Sequence, residues 1–256
     1  MLSDYKPIVI HLPRTFERAE IYFAHDVHKG DELHDESKWE HFKADILEAD
    51  NRFVVLCGDY LDNAIANSKG DIYSQTLSPQ LQKEWFIEQL TELKSRVLAI
   101  VPGNHEARTT RAVGISPIYD IAVMAGLTDK YRQHFAFVDV GVGETRAKKQ
   151  FRYVGYITHR LRDCKIYNGS DFVDGIDFAA YGHDHDPKDH SRAKLVYDNK
   201  NKTVAHKNIE IINSGAFLHY GGYAVDGGYR PVSEKVYKLV LSGTKKQITT
   251  VGFYVD

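Results

Sequence analysis

The sequence predicts an α/β domain with helices outside packed sheets, and three observations carry that expectation. Short apolar runs rich in β-branched residues recur along all 256 residues, each of strand length. Stretches with apolar residues at helical spacing lie between the earlier runs, so the first half alternates strand and helix while the second half is mostly strand. No Pro/Gly/Ser-rich linker, internal repeat or low-complexity tract interrupts the chain, so residues 1–256 read as one domain.

In chain order the strand candidates are "PIVIHL" from Pro7, "EIYFAHD" from Glu20, "RFVVLCGD" from Arg52, "RVLAIVPGN" from Arg96, "FRYVGYITH" from Phe151, "IDFAAYGH" from Ile176, "IEIINSGAF" from Ile209, "KVYKLVL" from Lys235 and "QITTVGFYV" from Gln247. Residues 36–49 place Trp39, Phe42, Ile46 and Leu47 at helical spacing. Residues 78–95 open with Ser78 as N-cap and Pro79 at the first helical position, and Leu81, Trp85, Leu90 and Leu93 fall mainly on one face. Residues 117–125, "PIYDIAVMA", suggest a third helix. Trp39 and Trp85 read as core anchors.

Composition narrows the function classes. Hydrophobic residues make up 43% and charged residues 27%, the profile of a soluble globular chain. Lys+Arg number 33 and Asp+Glu 35, a balance that argues against a general nucleic-acid-coating surface. Cys57 and Cys164 cannot build a disulfide framework and read as buried or incidental thiols. The N-terminus lacks a basic start followed by an apolar stretch, and no apolar run approaches ~18 residues, so no membrane span is expected and the cytoplasm is the default location.

The polar residues follow a positional rule. "IYFA" runs into "HDVH", "RFVVLC" into "GDYLD", "RVLAIV" into "PGNHE", "FRYVGYI" into "THR", and "IDFAA" into "YGHDH". Five strand candidates thus end in metal-capable or acid–base side chains, at the strand ends where open α/β folds assemble their sites. Asp26 and His28 are two apart, as are His183 and His185. In extended chain each pair would aim at one locus, with Val27 and Asp184 pointing elsewhere. The donors comprise Asp26 and Asp59 carboxylates, the His28, His159, His183 and His185 imidazoles, and the Asn104 amide. Nitrogen and oxygen donors without thiolate suit Mn, Fe, Zn or Ni better than Ca or Mg. Seven donors exceed one tetrahedral ion and suit two divalent transition-metal ions sharing a carboxylate, an arrangement used in phosphoryl transfer.

Asp26-Val-His28, "GDYLD" at 58–62, "GNHE" at 103–106, His159 and "GHDH" at 182–185 resemble, in order and strand context, the signature of the calcineurin-like metallophosphoesterase family. "IINSGAF" is similar to the strand and small-residue turn that follows it there, and the stretch from Gly58 to Gln80 resembles phage or prophage members. The resemblance implies two packed β-sheets flanked by helices, an αββα sandwich. It implies that Asp26, His28 and His185 bind one metal, that Asn104, His159 and His183 bind the other, and that Asp59 bridges them. It further implies in-line attack of activated water on phosphorus, with His105 protonating the leaving oxygen or stabilising the transition state. Manganese is the first expectation, and the substrate is a phosphate ester, with a diester favoured over a monoester. A DNA or RNA nuclease built on the same centre is the alternative, so a nucleotide or nucleic acid is the partner to test. A non-catalytic scaffold is the reading from another class, and the filled ligand slots speak against it. Oligomeric state is open.

The chain departs from the family pattern at His25, where Ser or Thr is usual, and at Arg160, where Gly is. His25 reads as a neighbour that orients a ligand, and Arg160 as a solvated loop charge in preference to a phosphate contact. Arg108 reads as a contact to substrate phosphate or as an exposed salt bridge. Asp62 is expected to hold the loop after Asp59, and Asp186 and His190 to lie in a loop. Residues 219–229, "HYGGYAVDGGY", either line the cleft or form flexible turns.

Overall fold

The computed structural model describes residues 3–66, 68, 72–160 and 173–255. Its elements run β1 (Ile8–His11), β2 (Arg18–Ala24), α1 (Glu36–Leu47), β3 (Arg52–Leu56), α2 (Pro79–Glu92), β4 (Val97–Ile100), α3 (Glu106–Val113), α4 (Pro117–Met124), β5 (Phe135–Val142), β6 (Phe151–Thr158), β7 (Phe178–Tyr181), β8 (Lys188–Asp198), β9 (Thr203–Asn213), α5 (Gly222–Asp226), β10 (Val236–Ser242) and β11 (Ile248–Phe253). Among the described residues the strands form two mixed sheets, ordered β1-β5-β6-β7-β9-β8 and β11-β10-β2-β3-β4.

The layers follow from strand alternation. On β2, Ala19, Ile21 and Phe23 face the other sheet and pack in one cluster with Ile8, Val138, Val140, Tyr153 and Phe178, while Tyr22 and Ala24 face the opposite way. That opposite face is covered by the helices: Trp39, Phe42 and Ile46 of α1, Phe86 and Leu90 of α2, and Ile118 and Ile121 of α4 pack against Tyr22, Val54, Leu56 and Ile100. The helix starts are built as the sequence suggests. The Ser78 hydroxyl accepts from the Leu81 amide, the Ser116 hydroxyl from that of Tyr119, and each is followed by proline. Trp85 rests its ring 5.7 Å from that of Trp39, at the margin of the core.

Several expectations need correction. Leu47 is 38% exposed because the buried face of α1 runs through Trp39, Phe42, Lys43 and Ile46, and Leu81 is 49% exposed because that of α2 runs through Gln82, Phe86, Gln89 and Leu90. β5, α3 and β8 lie where no regular element is expected. α3, "EARTTRAV", buries only Glu106, so it has no apolar stripe to detect. β8 is an edge strand among the described residues, and its Lys188, Asp189, Arg192 and Lys194 are the charges that keep such an edge from pairing with other chains. His190 therefore sits in a strand, opposite Ile211, and not in a loop. Within 219–229 a short helix forms, and the Tyr220 hydroxyl donates to the Tyr229 carbonyl at 2.6 Å, so the segment closes on itself. Cys57 is a buried free thiol, and Cys164 lies outside the described residues.

For function, the topology matters at one place. β2, β3 and β4 run parallel and adjacent in one sheet, and β6, β7 and β9 do so in the other. The segments that follow β2, β3, β4, β6 and β7 carry the site.

Candidate metal centre

The segments after β2 and β3 are laced together by their backbones. The Asp26 amide donates to the Gly58 carbonyl at 3.0 Å, those of Val27 and His28 to the Asp59 carbonyl at 2.8 and 3.1 Å, and that of Lys29 to the Tyr60 carbonyl at 2.9 Å. These bonds hold an unusual backbone. Asp26, His28, Asp59, His183 and His185 all have positive φ, between 49° and 80°. The extended i, i+2 geometry expected for the two pairs is therefore wrong. Left-handed turns aim both members of each pair inward, and Val27, between Asp26 and His28, drops into the core. Asp and His tolerate this region better than most residues, yet each instance costs about 1–3 kcal/mol and persists only where the surroundings enforce it.

Both carboxylates share one design. Asp26 Oδ2 accepts from the His183 amide at 2.7 Å and lies 2.5 Å from His25 Nδ1, which leaves Oδ1 facing His28 Nε2 at 3.5 Å and His185 Nε2 at 3.4 Å. Asp59 Oδ1 accepts from the His105 amide at 2.8 Å, which leaves Oδ2 facing His159 Nε2 at 3.1 Å. One oxygen is tied down in each and the other is presented. The imidazoles are oriented likewise. His159 Nδ1 donates to the Cys57 carbonyl at 2.8 Å, and its Nε2 lies 3.1 Å from Asn104 Oδ1.

Three groups of donors result, in each of which the donor atoms lie within 4.8 Å of one another: Asp26, His28 and His185; Asp59, His159 and His183; and His28, Asp59 and His105. Asp59 belongs to two of them. The donor set fits divalent ions. His28 Nε2 and His185 Nε2 are 3.3 Å apart, and donors held at ~2.1 Å by one tetrahedral ion lie roughly 3.4 Å from one another. Asp26 Oδ1 is fully buried and has no hydrogen-bond partner among the described residues, the condition of a ligand oxygen.

Electrostatics separate the donors. Burial alone would raise Asp59, but the charge of His159 beside it holds its carboxyl well below the usual range. Burial likewise works to lower His159, but the Asp59 charge and hydrogen bond push it up to about 9. Asp26 is held low by His185 and His25 against its own burial. His28 is lowered by burial and by His105, and His183 by burial and by Arg160.

All eight expected site residues outside Arg108 converge here, and Arg108 touches the cluster. His105 caps the start of α3 and places Nδ1 2.7 Å from the Asp62 carbonyl and 3.3 Å from its carboxylate. Asp62 thus holds His105, while its own loop is tied by the backbone, the Asp62 amide donating to the Lys29 carbonyl at 2.9 Å. Burial lowers His105, but Asp62 and Asp59 together raise it. Arg108 Nη2 donates to His105 Nε2 at 2.8 Å and Nη1 to the Asp62 carbonyl at 3.0 Å, so it is no exposed salt bridge. Arg160 is not merely solvated: its Nη2 donates to His183 Nε2 at 2.8 Å. His25, fully buried against Asp26, matches its expected orienting role. Glu106 is the residue of the centre whose role the sequence leaves unassigned. It is buried and accepts the amides of Tyr60 and Leu61 on Oε1 and those of Asp59 and Gly103 on Oε2. Its place in "GNHE", directly after His105, is the one sequence signal that marks it.

A family model described as calcineurin-like phosphoesterase matches residues 21–187. Among solved structures, a conserved protein of Streptococcus pneumoniae TIGR4 described as a predicted phosphoesterase aligns at 12% identity and a TM-score of 0.37, over 93% of each chain. A metallophosphoesterase from Sphaerobacter thermophilus aligns at 12% identity and a TM-score of 0.42, over 93% of this chain and 89% of the other. A search of curated proteins finds no match. Among the described residues no helix is long and apolar enough to cross a membrane.

Proposed function

Because the chain belongs to the calcineurin-like phosphoesterase family, we propose that its metal-dependent hydrolysis of phosphate esters is directed at diesters and runs on the side chains gathered around Asp59. The observation that supports this is that Asp59 stands in two donor groups, one with His159 and His183 and one with His28, which itself belongs to the group of Asp26 and His185. Asp26, His28 and His185 would hold one divalent ion, Asn104, His159 and His183 the other, and Asp59 both, with manganese preferred for this thiolate-free set. When bound, the ions supply Lewis-acid chemistry: they neutralise charge on the phosphoryl oxygens and acidify water.

The chain's own groups do the rest. The tied oxygens of Asp26 and Asp59 fix where the free ones point, so the ligand atoms are set in place before any ion arrives. His105 stands at the edge of the cluster, with its ring centroid 4.4 Å from that of His28. Oriented by Asp62 through Nδ1, it would donate a proton from Nε2 to the departing alkoxide once Arg108 Nη2, which occupies that nitrogen in the free protein, has turned to the substrate. Its side chain is 17% exposed and that of His185 39%, so the site is open at this rim. An open rim admits a substituent on each side of phosphorus, which supports the diester reading.

The test is hydrolysis of bis-p-nitrophenyl phosphate and p-nitrophenyl phosphate by manganese-loaded protein. The diester is expected to be turned over faster. His105→Ala is expected to keep its metal content, measured by elemental analysis, and to lose roughly 10²–10⁴-fold in kcat on esters of poor leaving groups. Unchanged turnover in that variant refutes the role given to His105.

A further inference from the structure

Arg108 and Arg160 stand on different segments, α3 and the turn after β6, and each points a guanidinium at an imidazole of the centre. Other arginines of this chain are matched by acids: Arg14 by Glu144, Arg52 by Asp45, Arg96 by Asp50 and Arg152 by Asp139, all at 2.6–2.8 Å. Arg108 and Arg160 form no ion pair with a carboxylate among the described residues. A guanidinium is a permanent cation with donors only, so an imidazole nitrogen leaves the Arg160 charge unmatched, while Arg108 has near it only the Asp62 carboxylate, which it shares with His105. Arg160 is exposed, free to leave His183 for an arriving anion.

Charge balance says which anion. Asp26 and Asp59 face what would be two dications, so the loaded centre is already net positive before either arginine is counted. Once both arginines are added, one diester monoanion matches only part of the surplus. We propose that Arg108 and Arg160 form an anion clamp that selects diesters carrying a second phosphate next to the scissile one, whether in a single nucleic-acid strand or in a small phosphorylated nucleotide ester. The clamp rests on the phosphodiesterase reading above: it takes up the neighbouring phosphate, bidentately and outside the metal ligands.

The test separates the two claims. Thymidine 3′,5′-bisphosphate and thymidine 5′-monophosphate are titrated calorimetrically into manganese-loaded protein. The bisphosphate is expected to bind about tenfold to hundredfold tighter, the range for charged hydrogen bonds. Arg160→Ala is expected to bring that ratio close to one, and Arg160→Lys, which keeps charge but loses the fork, to leave it intermediate. Equal binding of both nucleotides by the wild type, or a ratio unmoved in Arg160→Ala, overturns the clamp whether or not any ester is hydrolysed. In turnover, the p-nitrophenyl ester of thymidine 5′-phosphate is compared with its 3′-phosphorylated form and with a single-stranded oligothymidylate. Preference for the 3′-phosphate is expected in KM and lost in Arg160→Ala. Efficient cleavage of the oligothymidylate assigns the source of the second phosphate to a strand, and its resistance assigns it to the small ester. Hydrolysis of the plain thymidylate ester with no preference for the 3′-phosphate refutes the clamp and leaves the phosphodiesterase reading standing.

Discussion

Glu106 organises more of the centre than its distance from solvent suggests. Each of its oxygens accepts two backbone amides, and three of those four belong to consecutive residues 59–61. Burial and then the Asp59 charge push its pKa up, against the pull of the Leu61 and Gly103 amides. The arrangement requires four acceptor positions and no donor. Glu106→Gln replaces one oxygen with an NH₂ that must face two amide donors. A loss of about 2–4 kcal/mol in unfolding free energy is expected from urea denaturation, since buried donors left unsatisfied cost more than the bond itself. A variant within about 0.5 kcal/mol of wild type, the range of a neutral surface change, shows that the four bonds are dispensable.

At the scale of elements, the site depends on loops that approach one another too closely for ordinary side chains. A Cβ on Gly103 would lie 2.0 Å from Asp59 Oδ1 and 2.3 Å from the Asp59 amide nitrogen. Gly103→Ala must therefore push the segment after β3 away from the start of α3. The expected consequence is a tenfold to hundredfold loss of manganese affinity, about what disturbing a ligand's supporting shell costs, measured by calorimetric titration; unchanged affinity shows that Asp59 tolerates the displacement. The same loops show what is legible in a sequence. The endings of β2, β3, β4, β6 and β7 could be read, because an apolar run followed by Asp, His or Asn leaves a local trace. The positive φ of Asp26, His28, Asp59, His183 and His185 could not, because the bonds that impose it, such as the Val27 amide to the Asp59 carbonyl, join residues distant in sequence. β8 was hidden for a related reason: a charged edge strand has no apolar alternation to display. Arg160 reads as solvated in the sequence because its partner, His183, lies 23 residues away.

At the scale of the whole molecule, the centre joins the two sheets. Asp26, His28, Asp59 and Asn104 follow strands of one sheet, while His159, His183 and His185 follow strands of the other. Ions shared among them would pin the sheets together at one end, and binding to the folded state alone raises its stability. At a free metal concentration about a hundredfold above Kd the gain is ~2.7 kcal/mol, or roughly 5–10 °C in Tm for a chain of this size. His159 sets how that gain depends on pH. Held up at about 9 by Asp59, it is protonated in the metal-free protein near neutrality. The stability its ion pair contributes is fully present below its unfolded value of ~6.5 and is lost as pH rises through the folded one. Metal ligation requires the neutral imidazole, so affinity climbs with pH over the same window. Both effects act in one direction. Thermal melts with manganese and with EDTA should differ by more at about pH 8.5 than at about pH 6.5, and titrations in buffers of different ionisation enthalpy should register proton release near neutrality. A difference in Tm that is the same at both pH values would mean that His159 gives up no proton to the metal, and would remove it from the ligand set.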